Sequence, residues 1–198
     1  QGFQFGNALL VYEATGDPRY LAAARDLVEF CSRNLLEAGT AAFRDHVADP
    51  SDVGILLNPR RPMRENVLLA RAMLRLDAQG LGADFRERAA AVLGSFSGNA
   101  AAYAVHGAAV ALGVEETIRR PLTVRIEAPV GDPAAEALRR AAARLPWTWT
   151  VIATGEKAKG PAEAVLGWRG EERRVRRAAD LAKAVEGMTG AAPRGARR

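Results

Sequence analysis

Apolar positions along the first part of this chain recur at helical spacing, and one helical phrase is written twice. The first copy, from Asn7, reads NALLVYEATGDPRYLAAARDLVEF; the second, from Asn66, reads NVLLARAMLRLDAQGLGADFRERAAAVLGSF. In each, an apolar helix runs into a glycine-bearing turn, and an alanine-rich helix starts after an Asp or Pro. Repeated hairpins of this kind build open arrays or closed α/α barrels, because each buries its apolar face only against its neighbours.

The pattern predicts a helix over 3–15 that stops at Gly16, and a second with Asp17 as N-cap and Pro18 as first helical residue, reaching Leu36. From Ala41 to Arg61 the chain is rich in Asp, Asn, Pro and Gly, which is loop chemistry, and a loop of that length is usually functional. Helices follow from Pro62 to Ala78, over 83–96, and, after a Ser97-Gly98-Asn99 turn, over 100–112. At Pro121 the period changes. LTVRIEA (122–128) alternates apolar and polar residues as a strand does, 132–145 is helical with Asp132 as N-cap, and TWTVIAT (148–154) is a second strand. A short strand over 164–168 and a helix over 178–185 complete the reading. Strand, helix, strand with so short a crossover predicts a right-handed parallel βαβ unit. The expected organisation is mainly α: helical hairpins over 1–115, a small α/β element over 116–187, and a disordered Gly, Pro and Arg-rich tail over 188–198.

Composition changes this picture little. The 198 residues are 48% hydrophobic, enough for a real core, and no apolar run approaches the roughly 18 residues of a membrane span. A soluble, cytoplasmic protein is expected. The net charge of +5 invites a nucleic-acid partner, but arginines are mixed with Asp and Glu, lysine occurs only at 157, 159 and 183, and the dense run Arg169–Arg177 has no interleaved aromatics. The expectation is a solvated surface, with neither nucleic acid nor membrane as partner. Cys31 is the single cysteine, so the chain holds no internal disulfide and no CxxC; on the apolar side of its helix it reads as a small buried hydrophobe. Since the sequence starts at Gln1, enters helical sequence at once and carries fewer hairpins than a barrel needs, it is expected to be part of a longer chain.

Several stretches in order carry a resemblance. They are LLVYEATGDPRYLAAARDLVEF, AFRDHVADPSD, RPMRENVLLARAMLRL, and LTVRIEAP through TWTVIAT. Together they resemble the C-terminal half of the thioredoxin-domain proteins of the YyaL and spermatogenesis-associated-protein-20 type. That resemblance implies late hairpins of an (α/α)6 six-hairpin glycosidase-like toroid, incomplete here, followed by a small α/β element. It covers most of the chain. This sequence departs from the pattern in three ways: VLGWRGEERRV lacks the cysteine pair that often precedes the family's last helix, no thioredoxin part is present, and Val67 to Leu69 replace a usual Ser-Gly-Asn. Redox chemistry therefore has no residues here to carry it.

Asp45, His46, Asp49 and Asp52 form the one cluster of catalytic residue types, at a spacing that places two carboxylates in one cleft or else makes the aspartates turn formers. In barrel carbohydrate enzymes, acid and base flank the reacting sugar carbon. By that analogy the candidate catalytic residues are Asp45, Asp49 and Glu65, and the candidate substrate contacts are His46, Asp52, Arg61 and Asn66. From the residues themselves Glu65 reads first as a first-turn cap, with a substrate contact as the sharper alternative, and Arg60, Arg61 and Arg64 read as solvated unless they bind an anionic group. His106 reads as a core or interface residue, the glycines and lysines of 154–160 lack phosphate-loop spacing, and Trp147, Trp149 and Trp168 are expected to pack on helices. No cofactor and no metal site is implied. A carbohydrate-related role, with a carbohydrate or small polar ligand and an activity of hydrolase or epimerase type, stands beside two alternatives. One is a non-catalytic helical scaffold for a peptide or protein; the other is an accessory part of a thioredoxin-type oxidoreductase.

Overall fold

The computed structural model describes residues 2–82, 84–98, 107–129, 131–147, 149–156 and 160–190. They form helices and a small four-stranded mixed sheet, in two compact units: Gln1–Leu9 with Pro18–Arg119, and Leu10–Asp17 with Arg120–Arg198. Among the described residues, no helix is long and apolar enough to cross a membrane.

The first unit is built on helix α3 (Met63–Ala78). Its buried positions, Met63, Asn66, Val67, Leu69, Ala70, Ala72, Met73, Leu74 and Leu76, are too many for one stripe. They are used because α2 (Pro18–Asn34), α4 (Phe85–Ser97) and α5 (Gly107–Ile118) all pack on α3. α2 contributes a single stripe, Ala24, Val28 and Cys31. On α5, Gly107, Val110, Gly113 and Glu116 are buried, and at Gly113 a Cβ would come within 2.7 Å of Leu93 Cδ2. The glycine is what lets α5 lie so close to α4.

Charge closes the same three-helix group. Arg71 on α3 holds the buried Glu116 of α5 through two hydrogen bonds, Nε to Oε2 at 2.8 Å and Nη2 to Oε1 at 2.6 Å. That bidentate grip raises the Arg71 pKa. Arg86 on α4 donates from Nε to Asp77 at 2.9 Å and from Nη1 to the Thr117 carbonyl at 2.8 Å, satisfying the end of α5 with a cation where the helix dipole favours one.

The repeated phrase is realised unequally. Its second copy, α3 and α4, packs as a hairpin turned at Gly80, in the left-handed region at φ 77°. In the first copy the turn forms likewise, with Gly16 at φ 75° after α1 (Gly2–Thr15), but Leu10–Asp17 groups with the second unit rather than with the hairpins. The last helix of the first unit runs to Ile118, past the expected end at 112; its expected start and His106 fall in 99–106, outside the described residues.

In the second unit the strands are β1 (Leu122–Ala128), β2 (Thr150–Glu156), β3 (Glu163–Trp168) and β4 (Glu171–Val175), in the order β2-β1-β3-β4. β1 and β2 pair in parallel around helix α6 (Pro133–Ala143), the expected βαβ arrangement. Asp132 accepts from the Ala134 amide at 2.9 Å with Pro133 behind it, as the capping rule predicts. Leu122, Val124, Ile126, Ile152, Ala164 and Leu166 from the strands share one core with Leu138 and Ala142 of α6 and Leu181 and Val185 of α7 (Leu181–Thr189). α7 ends at Gly190, φ 66°, so residues 188 and 189 are helical where a disordered tail is expected; 191–198 lie outside the described residues.

β4 is missing from the sequence reading. EERRV has no apolar alternation, yet it pairs antiparallel with β3 through a tight turn in which Arg169 and Gly170 both take positive φ, 50° and 86°. Its arginines meet carboxylates across the sheet: Arg174 reaches Glu163 at 2.7 Å and Glu127 at 3.3 Å. Charges on an edge strand also discourage pairing with another chain. The other edge, β2, is covered by the segment from α1: the Thr154 amide donates to the Tyr12 hydroxyl at 2.9 Å, and the buried Arg139 donates to Thr154 Oγ1 at 3.0 Å. Trp147 and Trp168 pack edge-to-face on each other, centroids 5.1 Å apart, besides resting on the core.

Leu74 is fully buried at the centre of α3. Leu74→Ala is expected to destabilise the chain by about 2–5 kcal/mol, read as a lower urea midpoint of the helical circular dichroism; an unmoved midpoint would mean that α3 is not the core of its unit.

Candidate functional site

The loop between α2 and α3 has no ladder of its own, and its position rests on a few hydrogen bonds. Leu36 and Phe43 form an isolated antiparallel bridge, and the Arg44 amide donates to the Leu35 carbonyl at 2.8 Å. The decisive hold comes from Asn66, which is 1% exposed. Its Oδ1 accepts from the Phe43 amide at 2.7 Å, while its Nδ2 donates to the carbonyls of Phe43 and Pro62, both at 2.9 Å. One side-chain amide thus does for Phe43 what a neighbouring strand would do.

Further out, Asp45 ties the two ends of the loop together. Its amide donates to the Arg60 carbonyl at 2.9 Å, and its Oδ1 accepts from the Arg60 amide at 3.0 Å. His46 sits between acceptors, with Nδ1 2.7 Å from Asp45 Oδ1, and Nε2 3.0 Å from the Leu56 carbonyl and 3.7 Å from Asp52 Oδ2. An imidazole with an acceptor at each nitrogen is best served by carrying both protons. The hydrogen bond to Asp45, helped by Leu56, accordingly raises the His46 pKa. For Asp45 burial works the other way, but the bonds from His46 and the Arg60 amide outweigh it and hold its pKa below the ordinary value.

These bonds enclose a cleft of about 360 Å³ in the first unit, with Leu35, Phe43 and Leu69 as apolar wall and Arg44, Asp45, Arg60 and Glu65 as charged groups. Cys31 also lines it; the thiol is buried, and burial pushes its pKa up, so it is an inert wall. Asn66 lines it as well, with its amide committed to the main chain.

The sequence candidates divide accordingly. Asp45, Glu65 and Asn66 come together at the cleft, although Asn66 serves first as the clamp. Asp49 and Asp52 do not line it. Asp49 accepts from the amide and hydroxyl of Ser51, which lowers its pKa, and Asp52 Oδ2 accepts from the Asp49 amide at 2.8 Å. Both are turn formers within the loop tip, the second of the two readings open to them. His46 braces the loop, and Arg61 pairs with Glu37 at 3.2 Å, outside the cleft wall. A general acid needs a raised pKa, so Asp45 and Asp49, both lowered, are suited to accept and not to donate protons. Arg44 is a charged cleft residue absent from the sequence candidates, because nothing local marks an arginine as lining a cavity.

Among the described residues, no group of three or more His, Cys, Asp and Glu is placed to hold a metal ion. Comparison with protein-family models, with curated proteins and with solved structures finds no match for this chain.

Two outcomes follow from the loop. Because the folded form holds the His46 proton more tightly than the unfolded chain, its contribution is complete below the ordinary value of 6.5 and is lost as pH rises through the folded pKa. The imidazole NMR titration should give a pKa above 6.5, and Asp45→Asn should lower it; a value at or below 6.5 contradicts the bracing described. Asn66→Ala strands the buried amide and carbonyl of Phe43, at about 1–3 kcal/mol for each group, and should expose 41–61 to limited proteolysis well before the helices.

Proposed function

We propose that the cleft between α2, the 41–61 loop and α3 binds a small polar ligand of carbohydrate type, and that the helices belong to a six-hairpin glycosidase-like toroid. What carries the reading is the convergence of two carboxylates separated in sequence, Asp45 and Glu65, on one cleft with an apolar wall. Sugars need that combination: acceptors for hydroxyl groups beside a surface for the C–H faces of the ring. Asp45 is held ionised and fits a base or acceptor role. Glu65, in the first turn of α3, has no ion-pair partner among the described residues and supplies the second carboxylate. In hydrolase or epimerase chemistry, two such groups act on opposite sides of one sugar carbon.

A second reading, a scaffold that docks a protein partner, is favoured by the exposed apolar residues Val53, Ile55, Leu56 and Leu57 at the loop tip.

The test is calorimetry with glucose and N-acetylglucosamine. Glu65→Gln and Asp45→Asn should each weaken binding about tenfold or more, as loss of a charged hydrogen-bond acceptor does. Asp49→Asn, away from the cleft, should leave it unchanged. Equal binding by the wild type and Glu65→Gln would remove the carboxylates from the site.

A further inference from the structure

The cleft carries two cations that the fold itself does not use. Arg44 lines it with a buried Nε that has no hydrogen-bond partner. A guanidinium N–H shut away from water without an acceptor is costly, and native structures rarely leave one so. Arg60 lines the same cleft, and among the described residues neither arginine has a carboxylate within ion-pair distance. This sets them apart from other arginines of the same unit, which are paired: Arg61 with Glu37, Arg71 with Glu116, Arg86 with Asp77 and Arg88 with Asp84.

The main chain brings both residues to the wall of this cleft. The reciprocal bonds of Asp45 and Arg60 lay residue 60 beside residue 45, and the bond from the Arg44 amide to Leu35 fixes residue 44 at the end of α2. Pro62, at the N-cap of α3, offers no side-chain acceptor to the first-turn amides and also lines the cleft. A cleft lined by two arginines and by the N-cap residue of α3 suits an oxyanion, which takes paired N–H donors.

We infer that Arg44 and Arg60 form an oxyanion subsite, and that the ligand of this cleft is an acidic polyhydroxy compound carrying a carboxylate or phosphate. The inference rests on the carbohydrate-type reading for the neutral part of the ligand, which Asp45 and Glu65 would hold. It adds the charged part. Glu65 and Asp45 then disfavour a bare polyanion, so the cleft selects one anionic group with hydroxyl groups attached.

The full chain is titrated calorimetrically with glucuronate, glucose 6-phosphate, glucose and inorganic phosphate. At least one acidic sugar should bind about tenfold or more tightly than glucose, and comparison of the two separates carboxylate from phosphate. Arg60→Gln, at an exposed position, and Arg44→Gln should each bring the acidic sugar down toward glucose while glucose itself stays within about twofold. Arg61→Gln, already paired with Glu37, is the control and should change nothing. Thermal melting checks that Arg44→Gln folds; should it not, Arg60→Gln decides alone. Glucose and the acids binding alike, or a preference unmoved by Arg60→Gln, overturns the subsite and leaves the carbohydrate reading standing. Phosphate binding as tightly as glucose 6-phosphate in an Arg60-dependent way keeps the subsite and defeats the carbohydrate reading. Binding of none of the four overturns both.

Discussion

The buried amide of Asn66 is the constraint on which the candidate site depends. The 41–61 segment is long and has no sheet to join, so its main-chain donors and acceptors need partners from elsewhere. Asn66 meets that need at Phe43 with a donor and an acceptor on one planar group, from inside a helix that is itself the core of its unit. Because α3 is fixed by packing on three helices, the loop inherits that rigidity at one point. Asp45 and Arg60 then fold the rest of the loop back on itself. Cleft, charged wall and loop are shaped by these attachments together.

Arginine is used in several distinct ways among the described residues, which explains why its abundance says so little about function. On α3 and α4 it locks helices together, gripping a buried carboxylate or closing a helix C-terminus. On β4 it meets Glu127 and Glu163 across the sheet and keeps an edge strand charged. In the cleft, Arg44 and Arg60 form no ion pair among the described residues.

Much of the architecture was legible from local patterning. Helix periodicity, the Asp132-Pro133 start, the glycines at 16 and 80 and the β-branched alternation of 122–128 each impose their local structure through backbone sterics or hydrogen bonds within a few residues. β4 was not legible, because EERRV is a strand only by virtue of β3 beside it and the carboxylates across from it. The same holds for the first hairpin copy, whose turn is local but whose Leu10–Asp17 segment groups with the second unit through Tyr12 and Thr154, far apart in sequence.

For the site, sequence by itself supplied the residue types: aspartates that turn a loop, a glutamate and an asparagine at a helix start, arginines nearby. Which of them share a cavity was decided only by the tertiary structure. Asp49 and Asp52, close to Asp45 in the chain, spend their carboxylates on amides of their own loop, while Glu65, twenty positions on, faces the cleft with Asp45. Arg44 differs from its surface counterparts only in lacking an acceptor where it is buried. Local sequence determines what a side chain is able to bond; the distant segments folded against it determine which of those bonds are already made.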